Sequence, residues 1–465
     1  MHLNTFNKEV YIRRRKQLSE TMQKGLLLFM GNEESSMNYR DNWYPFRQDS
    51  SFLYYFGLDL AGLVAVIDLD NNREIIFGNE LSIDDIIWTG PQPGLQELAD
   101  AVGVQQSKPL TQLVNLLQQA QQQGQSIHIL PPYRPENKIR LASWLNCTLP
   151  AIDQYISIPF IKAVISQREI KESIELEEMH KACSISADMH MAVIQSAKTG
   201  MKEYELVAMA ESIASSNWGR VSYPTILSVD GQILHNHYHG NTIQDDQMIL
   251  CDAGAETNRH YAGDLTRTTP SGQRFTSRQE DLYNIVLNAM DHAVSLLKPG
   301  ITFREVHTQA CIQLMAGLKQ VGLVKGDPEE AVANDVHTLF FQCGLGHMIG
   351  LDVHDMEDLG EEYVGYSDIL KKGTSFGWKS LRLGKTLQAG FTLTVEPGIY
   401  IIPELIDKWK AANKLDSFID YGLLEEFRHF GGIRIEDNYV ITGTGCEKLG
   451  KHLPKTLEDL YTARG

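Results

Sequence analysis

Cysteine is scarce in this sequence of 465 residues, with six in all, no C-x-x-C spacing, and several in apolar settings such as Leu250-Cys251 and Ala310-Cys311-Ile312. The scarcity excludes a disulfide framework and a cysteine-built zinc module, and predicts reduced core thiols in a cytoplasmic protein. Positive charge is in deficit as well: 42 Lys and Arg stand against 59 Asp and Glu, a formal net charge of −17. Nucleic acid and anionic membrane both need basic surface, so neither is expected as a partner. Long apolar runs are also missing. Leu26 to Met30 is far too short to span a bilayer, and the opening Met1-His-Leu-Asn-Thr-Phe-Asn-Lys-Glu-Val lacks the apolar stretch of a secretory signal. The expectation is a soluble, unexported protein, with chain enough for two or three domains at about 150 residues each.

The first third alternates short apolar runs with helical patterns. Gly25-Leu-Leu-Leu-Phe-Met, Leu63-Val-Ala-Val-Ile-Asp, Glu74-Ile-Ile-Phe and Ser126-Ile-His-Ile-Leu read as buried strands. The Gln-rich stretch from Leu110 to Gln123 keeps Leu113, Leu116 and Leu117 on one face and predicts a helix rather than disorder. This is an α/β pattern. Ser157 to Gln167, with Pro159, has no clear periodicity, and strong helical character resumes at Arg168. A boundary near residue 160 therefore divides a domain over 1–160 from one over 161–465. Within the second, Asn288 to Val306 resembles Ala187 to Leu206, each reading helix, Gly turn (Gly200, Gly300), helix. Two related halves would place a shared centre at a pseudo-twofold seam; chance similarity between helices is the alternative. Ser277 and Glu280 are spaced as a capping box for the helix after Phe275.

Five residues break the rule that charge and imidazole avoid apolar strands. Asp252 lies in Met248-Ile-Leu-Cys-Asp-Ala-Gly, and Asp264 follows in Tyr261-Ala-Gly-Asp-Leu-Thr-Arg-Thr, on what reads as the next strand of one hairpin. His347 in Gly344-Leu-Gly-His, Glu396 in Leu393-Thr-Val-Glu-Pro-Gly-Ile-Tyr and Glu436 in Gly431-Gly-Ile-Arg-Ile-Glu-Asp repeat the anomaly. An unpaired buried charge costs several kcal/mol, so something must compensate them. Taken singly, Asp-Ala-Gly and Glu-Pro-Gly are ordinary turns, and Arg434 with Glu436 could be a same-face ion pair. Taken together, four carboxylates and one imidazole suit two hard or borderline divalent ions bridged by water, whose charge balances the ligands. Such a pair predicts hydrolysis.

These segments resemble the metal-binding motifs of the pita-bread metallopeptidases, in the Xaa-Pro branch that holds prolidase and aminopeptidase P. The resemblance covers nearly the whole chain, because Pro45-Phe-Arg-Gln-Asp-Ser-Ser-Phe-Leu-Tyr-Tyr-Phe-Gly57 looks like part of that branch's N-terminal domain. It implies an α/β domain of the creatinase and aminopeptidase P type followed by a pita-bread catalytic domain. It further implies two divalent ions per subunit, manganese first, with cobalt or zinc as alternatives. Asp252 would hold one metal, His347 and Glu396 the other, and Asp264 and Glu436 would bridge them. Glu396 would also shuttle the proton. His235 and His354 match histidines that contact substrate and its scissile carbonyl, against the alternative of satisfied core histidines. Arg434 joins the expected substrate-binding residues, and the roles of His237 and His239 are open: three histidines on one extended face could form a third metal site or a solvated strand. Arg382, in Ser380-Leu-Arg-Leu-Gly-Lys-Thr, resembles the prolidase arginine that pairs with a dipeptide's free carboxylate. Proline-containing dipeptides or short peptides are thus the implied substrates and a homodimer the implied assembly. Aminopeptidase P activity on longer peptides is the near alternative, and a metal-free binding module on the same fold the distant one.

Overall fold

The computed structural model describes residues 3–465 and divides into two compact units. One runs to Arg168 and includes Asp358–Tyr363; the other comprises Glu169–Glu357 and Val364–Gly465. Among the described residues no helix is long and apolar enough to cross a membrane.

The first unit is built on a five-stranded sheet ordered Gln106–Pro109, Arg73–Gly78, Val64–Asp68, Leu26–Met30, Ile127–Ile129. The middle three strands are antiparallel and the two outer ones pair in parallel. Strands buried on both faces need unbroken apolar runs, which is why Leu26–Phe29 and Val64–Ile67 lack alternation. The Gln-rich segment is the helix Thr111–Gln122, packing Leu113, Leu117 and Ala120 into this core. The aperiodic stretch near residue 160 is also a helix, Ile158–Arg168, whose Phe160, Ile161, Ala163, Val164 and Ile165 are buried around most of its circumference. Its exposed face, Ile158, Pro159, Lys162 and Ser166, carries only two polar residues and so hardly betrays the period, and Pro159 sits in the first turn, where a missing N–H costs nothing.

The second unit repeats one plan. Helices Ser173–Ser196 and Glu203–Ser216 are joined through Gly200 at φ +90°, and Ser277–Leu296 and Phe303–Gln320 through Gly300 at φ +93°. Each pair precedes a three-stranded antiparallel sheet: Leu265–Pro270, Met248–Ala253, Ile226–Ser228 in one case, and Thr392–Val395, Asp437–Ile441, Cys446–Lys448 in the other. The capping box sits one residue earlier than the sequence suggests. Thr276 is the N-cap and exchanges hydrogen bonds with Gln279, because a side chain one position into the helix cannot reach back to the third amide. A bridge between Thr266 and Glu436 joins the two sheets. Arg267 secures that seam: it donates to the carbonyls of Thr266, Glu436 and Pro454 and pairs with Asp437 at 2.8 Å, all buried.

Candidate active site

Strand geometry delivers the five anomalous residues to one place. Asp252 lies on the central strand of its sheet, opposite Thr266 and Ile226, and Asp264 immediately precedes Leu265, which pairs with Ala253. Glu436 stands at the bridge to Thr266, and Glu396 directly follows the strand Thr392–Val395. His347 is laid along that strand by backbone bonds in which Thr394 N–H donates to the His347 carbonyl and His347 N–H to Thr394 Oγ1. The predicted hairpin is thus observed, and all five side chains line a cavity of about 320 Å³.

Their contacts are short. His347 Nε2 lies 3.4 Å from Asp264 and 3.6 Å from Glu396, while Nδ1 is 3.0 Å from the Met348 carbonyl. A carbonyl only accepts, so Nδ1 carries a proton and Nε2 is turned towards the carboxylates. The Tyr223 hydroxyl stands 2.5 Å from both Asp252 and Asp264. Thr266 Oγ1 donates to Glu436 Oε2 at 2.7 Å, whereas Glu436 Oε1 is buried with no hydrogen-bond partner among the described residues.

The electrostatics follow from crowding. Burial pushes the Glu396 carboxyl up to about 7, opposed by His347 and Arg434 and aided by Asp264 and Asp252. Burial likewise raises Glu436 and Asp252, with neighbouring carboxylates adding to the effect. Asp264 moves the other way: burial works to raise it, but the hydrogen bond and charge of His347, with Tyr223, hold it below the usual range. His347 is raised because Asp264 and Glu396 outweigh its burial.

This donor set fits divalent cations. Asp264, His347 and Glu436 each offer a ligand atom within 4.8 Å of the others, Glu436 has an orphaned oxygen, and oxygen donors with one imidazole are what hard or borderline ions prefer. A second buried group, His307, Cys311 and His337, also gathers within 4.8 Å. Burial drives both of its imidazoles towards the neutral form, and both rings pack edge-on against Trp378, an arrangement of core side chains away from the cavity.

The remaining expected residues divide. His235, His237, His354, Arg382 and Arg434 line the same cavity. Burial lowers both His235 and His354. The His235 segment is a turn rather than a strand, and His239 instead faces the Leu227 carbonyl at 3.1 Å, so the three histidines do not converge on a common point. Arg434, expected among the substrate-binding residues, is 4% exposed and has each of its three nitrogens on a protein oxygen: Tyr400 at 2.9 Å, Thr266 at 3.1 Å and Asp252 at 2.5 Å. Sequence reasoning missed Tyr223 and Thr266 altogether. Tyr223 lies in a loop before Pro224, and a single hydroxyl in a loop leaves no periodic signal.

Residues 177–443 match the profile of Metallopeptidase family M24, and residues 11–129 that of Aminopeptidase P, N-terminal domain. The chain is 30% identical over 466 residues to a Homo sapiens Xaa-Pro dipeptidase, covering 96% of this chain and 91% of that one. It is also 30% identical over 476 residues to a Xaa-Pro aminopeptidase of Escherichia coli (strain K12), covering 98% of each. Among solved structures, aminopeptidase P from E. coli with the inhibitor Pro-Leu superposes with a TM-score of 0.79 at 29% identity, covering 99% of both chains. The chain belongs to metallopeptidase family M24, an enzyme whose pita-bread catalytic domain follows an aminopeptidase P-type N-terminal domain and whose relatives are Xaa-Pro dipeptidases and Xaa-Pro aminopeptidases.

Proposed function

We propose that this metallopeptidase hydrolyses free Xaa-Pro dipeptides, using two divalent ions, manganese foremost, held by Asp252, Asp264, His347, Glu396 and Glu436. The observation that carries the dipeptide reading is Arg382, which lines the same cavity as the acidic cluster, His235 and His354. A guanidinium there meets the α-carboxylate that a dipeptide carries just beyond its scissile bond, and a longer peptide has no charge to offer at that point.

Two divalent ions held by these five residues would supply a water of lowered pKa and positive charge for the developing oxyanion. The chain's own residues do the rest. Glu396 takes a proton from the attacking water and returns it to the leaving prolyl nitrogen. His235 and His354 hold the substrate carbonyl in register. Arg434 and Tyr223 hydrogen-bond the carboxylates of Asp252 and Asp264 and would hold them in place for bound metal, and Arg434, on the cavity wall, would also face substrate.

A second reading, Xaa-Pro aminopeptidase activity on longer peptides, draws support from the solved aminopeptidase P structures of E. coli that match over 99% of the chain with TM-scores up to 0.81. One assay separates them. With manganese added, Ala-Pro is expected to be cleaved with a kcat/KM at least about tenfold above that for Ala-Pro-Ala, the loss that follows from leaving a charged hydrogen-bond partner unpaired. Equal or faster cleavage of the tripeptide would replace the dipeptide reading with the second one.

A further inference from the structure

Glu357 has no part in the chemistry described so far, yet it touches two residues that do. It opens a single 3-10 turn, Glu357–Leu359, and its Oε2 accepts from His354 Nδ1 at 2.5 Å and from Arg382 Nε at 3.3 Å. The backbone reinforces the placement, because Glu357 N–H donates to the His354 carbonyl at 3.2 Å. His354 and Arg382 line the cavity, and Glu357, which does not, is bonded to both. The hydrogen bond from His354, then the charges of His354 and Arg382, hold the Glu357 carboxyl at about 2, so it is an anion at neutral pH.

An anionic carboxylate can only accept. His354 must therefore carry its proton on Nδ1, which fixes the tautomer and leaves Nε2 as the nitrogen it can turn to substrate. On Arg382, Nε is the nitrogen outside the terminal pair, so a bond there sets the direction in which that pair points. All three side chains are about one-third exposed, at 33%, 38% and 34% for His354, Glu357 and Arg382. Ion pairs that open to water add little to stability, so the arrangement is better explained by orientation than by folding.

We propose that Glu357 is a positioning residue that sets His354 and Arg382 through one shared oxygen, coupling the group at the scissile carbonyl to the group at the substrate carboxylate. The inference rests on the dipeptide reading of Arg382. It makes the length of the substrate a property of three residues rather than of one.

The test uses the full-length manganese-loaded enzyme with Ala-Pro, Ala-Pro-amide and Ala-Pro-Ala. In Glu357→Ala the KM for Ala-Pro is expected to rise about tenfold and kcat to fall several-fold, and the preference for Ala-Pro over its amide should shrink. Glu357→Gln, which keeps an acceptor for His354 but loses the charge facing Arg382, should recover most of kcat while KM stays raised. In an Arg382→Ala background, Glu357→Ala should raise KM no further. If the wild type prefers Ala-Pro but both Glu357 variants keep its KM within about twofold, or if the Arg382 and Glu357 effects on KM multiply, the proposal is overturned. A fall in kcat alone, equal for Ala-Pro and its amide, also overturns it, as that is the mark of a structural role. A wild type indifferent to the carboxylate defeats the dipeptide reading itself, an outcome read before any variant is made.

Discussion

Glu436 Oε1 and Arg382 mark opposite ends of what single residues reveal here. The first is a buried acceptor without a donor among the described residues, a condition that costs about 1–3 kcal/mol or more unless a cation takes the place of the missing hydrogen bond. Its segment, Gly-Ile-Arg-Ile-Glu-Asp, announced the anomaly because a carboxylate among isoleucines is rare. Arg382 sits in a polar loop, where an arginine attracts no notice by itself; its task was implied by resemblance, and its place on the cavity wall supports it. Arg382→Ala is expected to raise KM for Ala-Pro about tenfold or more with a smaller change in kcat, because the ground state and the transition state both carry the carboxylate it meets. An unaltered KM in steady-state assays would remove Arg382 from the substrate site. Tyr223 and Glu357 went unread because a side chain in a loop or a single turn has no period to mark it.

Among the secondary elements, the hairpin Met248–Ala253 and Leu265–Pro270 does the positioning. It was readable because Met248–Ala253 is apolar apart from Asp252, and Asp264 sits among the small residues Ala262 and Gly263 just before the Thr-rich second strand. What the pattern could not convey is how closely the backbones approach. A Cβ on Gly254 would stand 1.8 Å from the Gly263 carbonyl oxygen, with the Ser222 hydroxyl at 2.6 Å, so the glycine of Asp-Ala-Gly exists to let the chain segment before Asp264 lie against it. Gly254→Ala should therefore separate the two aspartates. We expect a loss of several kcal/mol of stability on the scale of core overpacking, together with loss of bound manganese measured by elemental analysis. A variant that melts with the wild type and keeps its metal would contradict this account. The repeated helix, glycine, helix plan was visible as faint sequence similarity, whereas the helix Ile158–Arg168 was invisible because it is apolar on nearly every side.

For the molecule as a whole, the acidic cluster links stability to pH and to metal. Glu396 has an ordinary value of 4.5 and is raised to about 7 in the folded chain. The folded state thus holds that proton more tightly than the unfolded state does. Its contribution is fully present below about pH 4.5 and is lost as pH rises through 7. Glu436, Asp252 and His347 are raised and act in the same sense, while Asp264, which is lowered, acts in the opposite one. The metal-free protein is therefore expected to lose stability across this window as pH rises. Manganese should raise the melting temperature more at about pH 8 than at about pH 5, and its binding should release protons, seen as buffer-dependent heats in calorimetry. The same manganese-induced shift at both pH values would refute the linkage. The chain by itself determined which residues were anomalous, the order in which they arrive and the α/β and repeated-sheet character around them, because burial patterns are written in local periodicity. Only the tertiary structure decided which anomalies meet: Glu436 against Thr266, His347 between Asp264 and Glu396, Arg434 held on Asp252, and His354 joined to Arg382 through Glu357. Those contacts join positions far apart in the sequence, and their geometry depends on strand register and backbone approach, which no local pattern encodes.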